Sequence, residues 1–259
     1  MGMKKYSQLK GLGLLFWLLI LVGWQLAFSG SGGQGLNIPS ITEIWQAFLS
    51  LCQEGYAGIP LSIHLRASFV RLFLALFSST LLALPLGILS GFSPIIRYVV
   101  QSLVNFIRPI PPLAYYPLLI MLVGISDASK IILLFIAAFA PLYLAVVSGI
   151  EQVRSDYILS AESLGASRLM IMREVIWPSV LASFIVGLRT AFGFAYTTLV
   201  SAEMTAAESG LGWLVIDASR YLKIDVVFVG IILMGLTGLI FDRVLDGIEK
   251  QLVFWKGQG

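Results

Sequence analysis

The chain has one cysteine, Cys52, and one histidine, His64, in 259 residues. A lone cysteine excludes an intramolecular disulfide, and no Cys/His cluster is present to hold a metal. His64 therefore reads as a capping or interface residue rather than a proton relay. Charge is scarce as well. Asp, Glu, Lys and Arg make up 12% of the residues, about half the share of a soluble domain. No Gly-x-x-x-x-Gly-Lys-Ser/Thr stretch occurs, which excludes a Walker A phosphate loop and nucleotide hydrolysis by this chain. Gly87-Ile-Leu-Ser90-Gly91 has the wrong spacing for a nucleophile elbow and reads as close helix packing. A net charge of +3 gives no reason to invoke nucleic acid.

Apolar side chains are what the chain has in quantity. They form 58% of it, and the mean hydropathy is +0.91. Apolar runs of about 20 residues recur, the length a helix needs to cross a bilayer. The expected class is an all-α, polytopic membrane protein with about six spans, near 11–29, 68–90, 95–124, 128–150, 179–201 and 226–248. Lys4, Lys5 and Lys10 ahead of Gly11–Ser29 resemble a signal peptide. That apolar run exceeds a usual leader core and Gly30-Ser31-Gly32-Gly33 is an imperfect cleavage site, so a retained first span is expected. A Gly/Ser linker over 29–35 leads to a short amphipathic helix over 41–52. Pro39 and the box Ser40-x-x-Glu43 mark its start, and Ile41, Ile44, Trp45 and Phe48 share one face.

Lys/Arg bias sets the orientation. With the N-terminus inside, ten basic residues fall on the cytoplasmic side: Lys4, Lys5, Lys10, Arg97, Arg154, Arg168, Arg173, Arg243, Lys250 and Lys256. Five fall outside: Arg66, Arg71, Lys130, Arg220 and Lys223. Both termini and the 151–177 loop are thus expected in the cytoplasm, although Arg66 and Arg71 run against the rule.

Two spans depart from plain helices. The third holds Arg108-Pro109-Ile110-Pro111-Pro112, whose prolines cannot continue a helix. Broken backbone at membrane depth is tolerated only inside protein or beside a watery cavity. The fifth carries Arg189 well inside the span, and charge at that depth turns toward a cavity or a partner.

The most informative stretch is 155–178, a polar patch in an oily chain. Ser155 can cap a first helix with Asp156 in its first turn, where the helix dipole favours an anion. Gly165 can end that helix, Ser167 can cap a second, and Pro178 marks where a new segment begins. Leu159, Leu164, Leu169 and Met172 can supply an apolar anchor, with Glu162, Arg168 and Arg173 at its rim. An apolar centre with charged edges suits a transient protein interface. The plainer alternative is an amphipathic helix lying on the membrane.

This loop resembles the cytoplasmic loop of binding-protein-dependent ABC importer permeases, whose pattern runs Glu-Ala-Ala, three residues, Gly, nine residues, Ile-x-Leu-Pro. The matching residues are Leu159-Ser160-Ala161, Gly165 and Val175-Ile176-Trp177-Pro178. Leu159 stands where the family has Glu, and Glu162 lies one turn later. The likeness extends over about 60–255. Asn105–Ile150 (including Arg108 to Leu118 and Gly124 to Ile131), Gly187-Leu188-Arg189, Ser201-Ala202-Glu203-Met204, Gly210-Leu211-Gly212 and Asp242…Glu249…Trp255 are similar to the taurine, alkanesulfonate and nitrate branch. The wording of the Pro-rich stretch and of Phe139-Ala140-Pro141 lies nearest the taurine permeases.

The resemblance implies a type I ABC importer permease fold, a single transmembrane domain over 1–259. Residues 1–60 would give the first span, linker and short helix, and 61–255 the permease core. It implies a multi-pass subunit of a bacterial inner membrane that works with a second copy of itself, two cytoplasmic ATPase subunits and a periplasmic binding protein. ATP and Mg would be bound by the ATPases, with no cofactor in this chain. Leu159, Ser160, Ala161, Glu162, Leu164, Gly165, Ala166, Ser167, Arg168, Leu169 and Pro178 would form the coupling loop. Arg108, Pro109, Pro111, Pro112, Tyr115, Arg189, Tyr196 and Glu203 are candidates for the translocation pathway. Arg108 and Arg189 suit a sulfonate or nitrate head by their guanidinium forks; an internal salt bridge is the other reading. Glu203 and Glu208 read as outer-loop acids beside a short gate helix, or as solvated loop acids. Tyr115, Tyr116 and Tyr196 could line the pathway, but aromatics near membrane ends are more often interface anchors. The rival classes are an ion-coupled secondary transporter, which also uses broken helices, and an intramembrane hydrolase, for which no paired Ser, Asp or Cys is evident.

Overall fold

The computed structural model describes residues 16, 19–28 and 38–253. Of the first expected span, Phe16 and the helix Leu19–Phe28 (α1) lie within the described residues. The rest of the chain forms α2 (Ile41–Gln53), α3 (Leu61–Phe92), α4 (Pro94–Ile107), α5 (Tyr116–Val123), α6 (Asp127–Glu151), α7 (Ser155–Ser163), α8 (Arg168–Ile171), α9 (Trp177–Ala206), α10 (Leu211–Arg220) and α11 (Ile224–Leu252). Among the described residues, four helical runs are long and apolar enough to cross a membrane: α3, α6, Arg168–Ala206 and α11. The third expected span is instead divided between α4 and α5 around its prolines.

α6 is the central element and packs along both α3 and α9. Small residues make this possible, because a helix with no side chain at the crossing lets its neighbour's backbone approach. A Cβ on Gly187 would fall 2.2 Å from Ala145 Cβ, and one on Gly87 would fall 2.5 Å from Val146. Ser90, one turn after Gly87, accepts from Tyr143 Oη at 2.9 Å. The 87–91 stretch is therefore a packing seam, as its spacing suggests. The core between these helices holds Ala75, Ala83, Leu133, Leu134, Ala138, Leu142, Ala191, Ala195 and Leu199.

α2 begins at the expected capping box: Ser40 N–H donates to Glu43 Oε2 at 2.7 Å, and Glu43 N–H to Ser40 Oγ at 3.3 Å. The Ser40 N–H and its Oγ both donate to Glu43 Oε2 and hold that exposed carboxyl below the usual carboxylate range. The buried face of α2 differs from the expected one. Ala47 and Leu51 are buried, Ile44 and Phe48 flank them against α10 and α11, and Trp45 is exposed. The core-facing stripe is rotated about one residue because neighbouring helices choose the face, not the local count of large apolar residues. Tyr56, after α2, donates to Asp217 on α10 at 3.1 Å, and burial with Asp217 pushes its phenol up to about 12.

Candidate translocation cavity and coupling surface

Three prolines decide the middle of the third span. α4 ends at Ile107, a single 3-10 turn covers Pro112–Ala114, and α5 starts at Tyr116. Each proline lacks a donor and fixes its own φ, so the chain turns instead of spiralling. The break borders a cavity of about 460 Å³ lined by Arg108, Pro109, Pro111, Pro112 and Tyr115. Pro141 of α6 and Gly187, Thr190 and Phe194 of α9 complete the wall. Arg108 is the one charged residue among its lining residues, and it is exposed. Five of the eight pathway candidates are thus brought to one cavity.

The other three lie elsewhere. Arg189 turns away toward α11, where Nε sits 3.2 Å from Asp242, and Nη2 sits 3.2 Å from Asp246 and 3.3 Å from Glu249. Tyr196 donates to the Met234 carbonyl at 3.0 Å and pairs with Thr237 Oγ1. Glu203 corrects the sequence reading. It lies within α9, fully buried, and not in a solvated loop past the span.

Around Glu203, at the C-terminal end of α9, the structure builds a polar knot. Arg71 Nη1 donates to Glu203 Oε1 at 2.8 Å, and Ser68 Oγ donates to the same carboxylate at 2.8 Å. Arg71 Nε reaches Asp127 at 2.8 Å, and Nη1 also reaches the Ser209 carbonyl at 2.8 Å. The first turn of α10 leaves N–H groups without helical partners. Gly210 N–H donates to His64 Nδ1 at 3.2 Å, Leu211 N–H to Ser68 Oγ at 2.9 Å, and Gly212 N–H to Glu203 Oε2 at 2.9 Å. A carboxylate at a helix N-terminus is also favoured by the dipole. His64, as a capping residue stacked on Trp213 at 5.4 Å, behaves as the sequence suggested. Sequence reading missed the knot because its signal was indirect: His64, Ser68 and Arg71 form a polar stripe at helical spacing on an apolar span. Arg71 and Lys130 are both buried, so two of the five basic residues expected outside serve internal pairing. Arg71's conflict with the positive-inside pattern thereby has a structural reason.

At the N-terminal end of α9, α7 and α8 form the expected pair of short helices. Arg154, not Ser155, occupies the N-cap of α7, with no side-chain cap; Ser155 is already helical. Asp156 in the first turn pairs with Arg154 at 2.8 Å. Gly165 closes α7 at φ +82. Its N–H bonds the Glu162 carbonyl and the Ala166 N–H bonds the Ala161 carbonyl, a Schellman closure that requires left-handed backbone at Gly165. Ser167 then caps α8, accepting from Met170 N–H at 3.3 Å.

Pro178 does not begin a separate segment. A π turn over Met172–Ile176 joins α8 to α9, and helix runs unbroken from Arg168 to Ala206. Widening the helix by one residue accommodates a proline that cannot donate. Leu159, Leu164 and Leu169 are exposed, at 59%, 88% and 78%, which matches three members of the expected anchor. Met172 instead packs inward, and Met170 is exposed in its place. Ile158, Ala161, Ala166, Ile171 and Val175 form the inner face, against Ile88 of α3, Val146 and Ile150 of α6, and Val180 of α9. Glu162 is exposed, and no ion pair is seen for it among the described residues. Ser160 is likewise exposed and Arg168 sits at the rim. The loop has one face seated on the spans and one face presenting leucines.

A proline-broken span beside a cavity, and a seated loop with a bare apolar face, define a multi-pass helical transport protein. The family described as "Binding-protein-dependent transport system inner membrane component" matches residues 83–253, and the chain belongs to it. The chain is 36% identical over 224 residues to the taurine transport system permease protein TauC of Escherichia coli (strain K12), covering 86% of this chain and 82% of that one. It is 27% identical over 240 residues to the nitrate import permease protein NrtB of Synechocystis sp., covering 91% and 86%. In fold it resembles a solved inward-facing structure of the MetNI methionine ABC transporter, with TM-score 0.62 and 18% identity, covering 72% of this chain and 93% of that one. As a permease component of ABC transport the chain is a non-catalytic membrane subunit.

Proposed function

We propose that the chain is the membrane-spanning half of an importer for taurine or a related small sulfonate. Two copies enclose the pathway, two cytoplasmic ATPases bind ATP and Mg and dock on α7 and α8, and a periplasmic binding protein delivers the solute. Both termini and the α7–α8 loop lie in the cytoplasm of a bacterial cell with the inner membrane around the spans. The observation that carries this reading is the loop itself. Its leucines face outward while its other face rests on α3, α6 and α9, so a push on the leucines moves the spans.

ATP binding draws the ATPases together, the loops follow, and the inner mouth closes as the outer one opens. Hydrolysis restores the inward-facing state. This is alternating access driven by rigid-body motion, in which two states differ in their contacts with the motor. Within the cavity, Arg108 offers a guanidinium fork to the sulfonate oxygens, and the apolar wall suits the short methylene chain. Nitrate is the second reading, since its oxygens fit the same fork and a nitrate permease is among the relatives. ATPase activity of the reconstituted complex with its binding protein separates them. Stimulation by taurine and not by nitrate or longer sulfonates supports the first reading; stimulation by nitrate alone replaces it.

A further inference from the structure

The two buried or half-buried arginines of α3 and α9 make contacts of different character. Arg71 is enclosed, with every named contact at 2.8 Å. Arg189 is shared among three carboxylates at 3.2–3.3 Å. Charge-assisted hydrogen bonds at their best lie near 2.7–2.9 Å, so Arg189 is tight to none of its partners. Those partners, Asp242, Asp246 and Glu249, are spaced four and three residues apart and so form one acidic row along α11. The row spans about 10 Å of helix.

Elsewhere among the described residues the α9–α11 contact has one polar tie, Tyr196 to the Met234 carbonyl and Thr237, seven residues nearer Glu203 along α9 than Arg189 is. The two helices meet over a narrow strip, unlike α6 and α9. Near Arg189 the two helices meet through a flat stack of Phe192 on Phe241, with ring centroids 3.6 Å apart and planes 7° from parallel. Flat rings do not lock into grooves as branched side chains do. The α9 helix also continues without a break into α8. Any displacement of the loop therefore reaches Arg189 directly.

We infer that Arg189 and the acidic row of α11 form a sliding contact that carries coupling-loop movement to the last span. Arg189 strengthens its pairing with Asp242 at one end of the stroke and with Glu249 at the other, passing Asp246 between. The knot at Arg71 and Glu203 serves as the fixed end about which α9 tilts. Arg189, Asp242 and Glu249 are positioning residues in this scheme, since the cavity wall does not include them. The inference rests on the reading of the chain as a subunit driven by ATPases.

The test uses the reconstituted importer with its binding protein and taurine. Asp242→Asn and Glu249→Gln are nearly isosteric, and each removes one end of the row. The expected result is normal membrane abundance and assembly, with ATP hydrolysis in the absence of solute shifted in opposite directions by about threefold. Uptake per ATP falls in both, and the double variant returns the solute-free hydrolysis toward the wild-type rate. Shifts in the same direction, wild-type values for both variants, or failure of either isosteric variant to assemble would each show a static clasp and overturn the inference. A wild-type complex that hydrolyses ATP without solute uptake would overturn the underlying reading instead, before any variant is compared.

Discussion

Glu203 and Arg71 stand 132 residues apart in the chain and 2.8 Å apart in space. Nothing local in the sequence joins them, which explains why composition and spacing placed Arg71 among topological charges and Glu203 in a loop. Arg108 was easier to place, because the prolines beside it fix the backbone wherever the fold puts them. A buried ion pair that loses one member leaves an uncompensated charge, which costs about 3–5 kcal/mol. Arg71→Leu is therefore expected to destabilise the subunit strongly, measured as thermal inactivation of the purified complex in detergent. A combined Arg71→Leu, Glu203→Gln variant should recover part of the loss, because the stranded charge is gone. Equal stability of the single variant and the native protein would mean that the knot holds nothing. Gly210→Ala should act in the same direction. Its φ is +131, and the added Cβ would fall 2.3 Å from Glu203 Cδ.

Helix α7, the Gly165 turn and α8 show which features of an element are written locally. The glycine at the turn, the Ser167 cap and the small residues of the packing seams were legible, since each answers to backbone geometry alone. The facing of Met172 and the π turn before Pro178 were not, because both depend on how α8 meets α3, α6 and α9. Gly165→Val places a branched side chain at φ +82, where left-handed backbone costs about 1–2 kcal/mol. The expected outcome is a loosened α7–α8 turn, seen as a lower uptake-to-ATP ratio with assembly retained. Pro178→Ala restores the missing donor and favours α over π geometry, which rotates α8 relative to α9. Uptake should fall several-fold, by about 1 kcal/mol or more of lost coupling, while the amount of complex in the membrane stays constant. Unchanged uptake would show that the wide turn is incidental.

At the scale of the whole molecule, the fold separates three features along α9. The polar knot fixes α3, α6, α9 and α10 to one another; the cavity beside the prolines lies along α6 and α9; the loop at the other end presents its leucines. The helical class, the broken span and the loop could be read in advance, whereas the enclosure of Arg71 and the sharing of Arg189 among three carboxylates depend on how distant helices pack. Arg108→Leu should leave assembly and ATPase docking intact and reduce taurine uptake at least about tenfold, a loss of about 1.4 kcal/mol in passage of the anionic head; Arg108→Lys should retain an intermediate rate. The loop makes the most direct test. Replacing Leu159, Leu164 and Leu169 together by Asp alters only exposed side chains. Energised taurine uptake by the reconstituted complex should then be lost, with the ATPases no longer copurifying and the spans still inserted and dimeric. Uptake at the native rate from that triple variant would contradict the account.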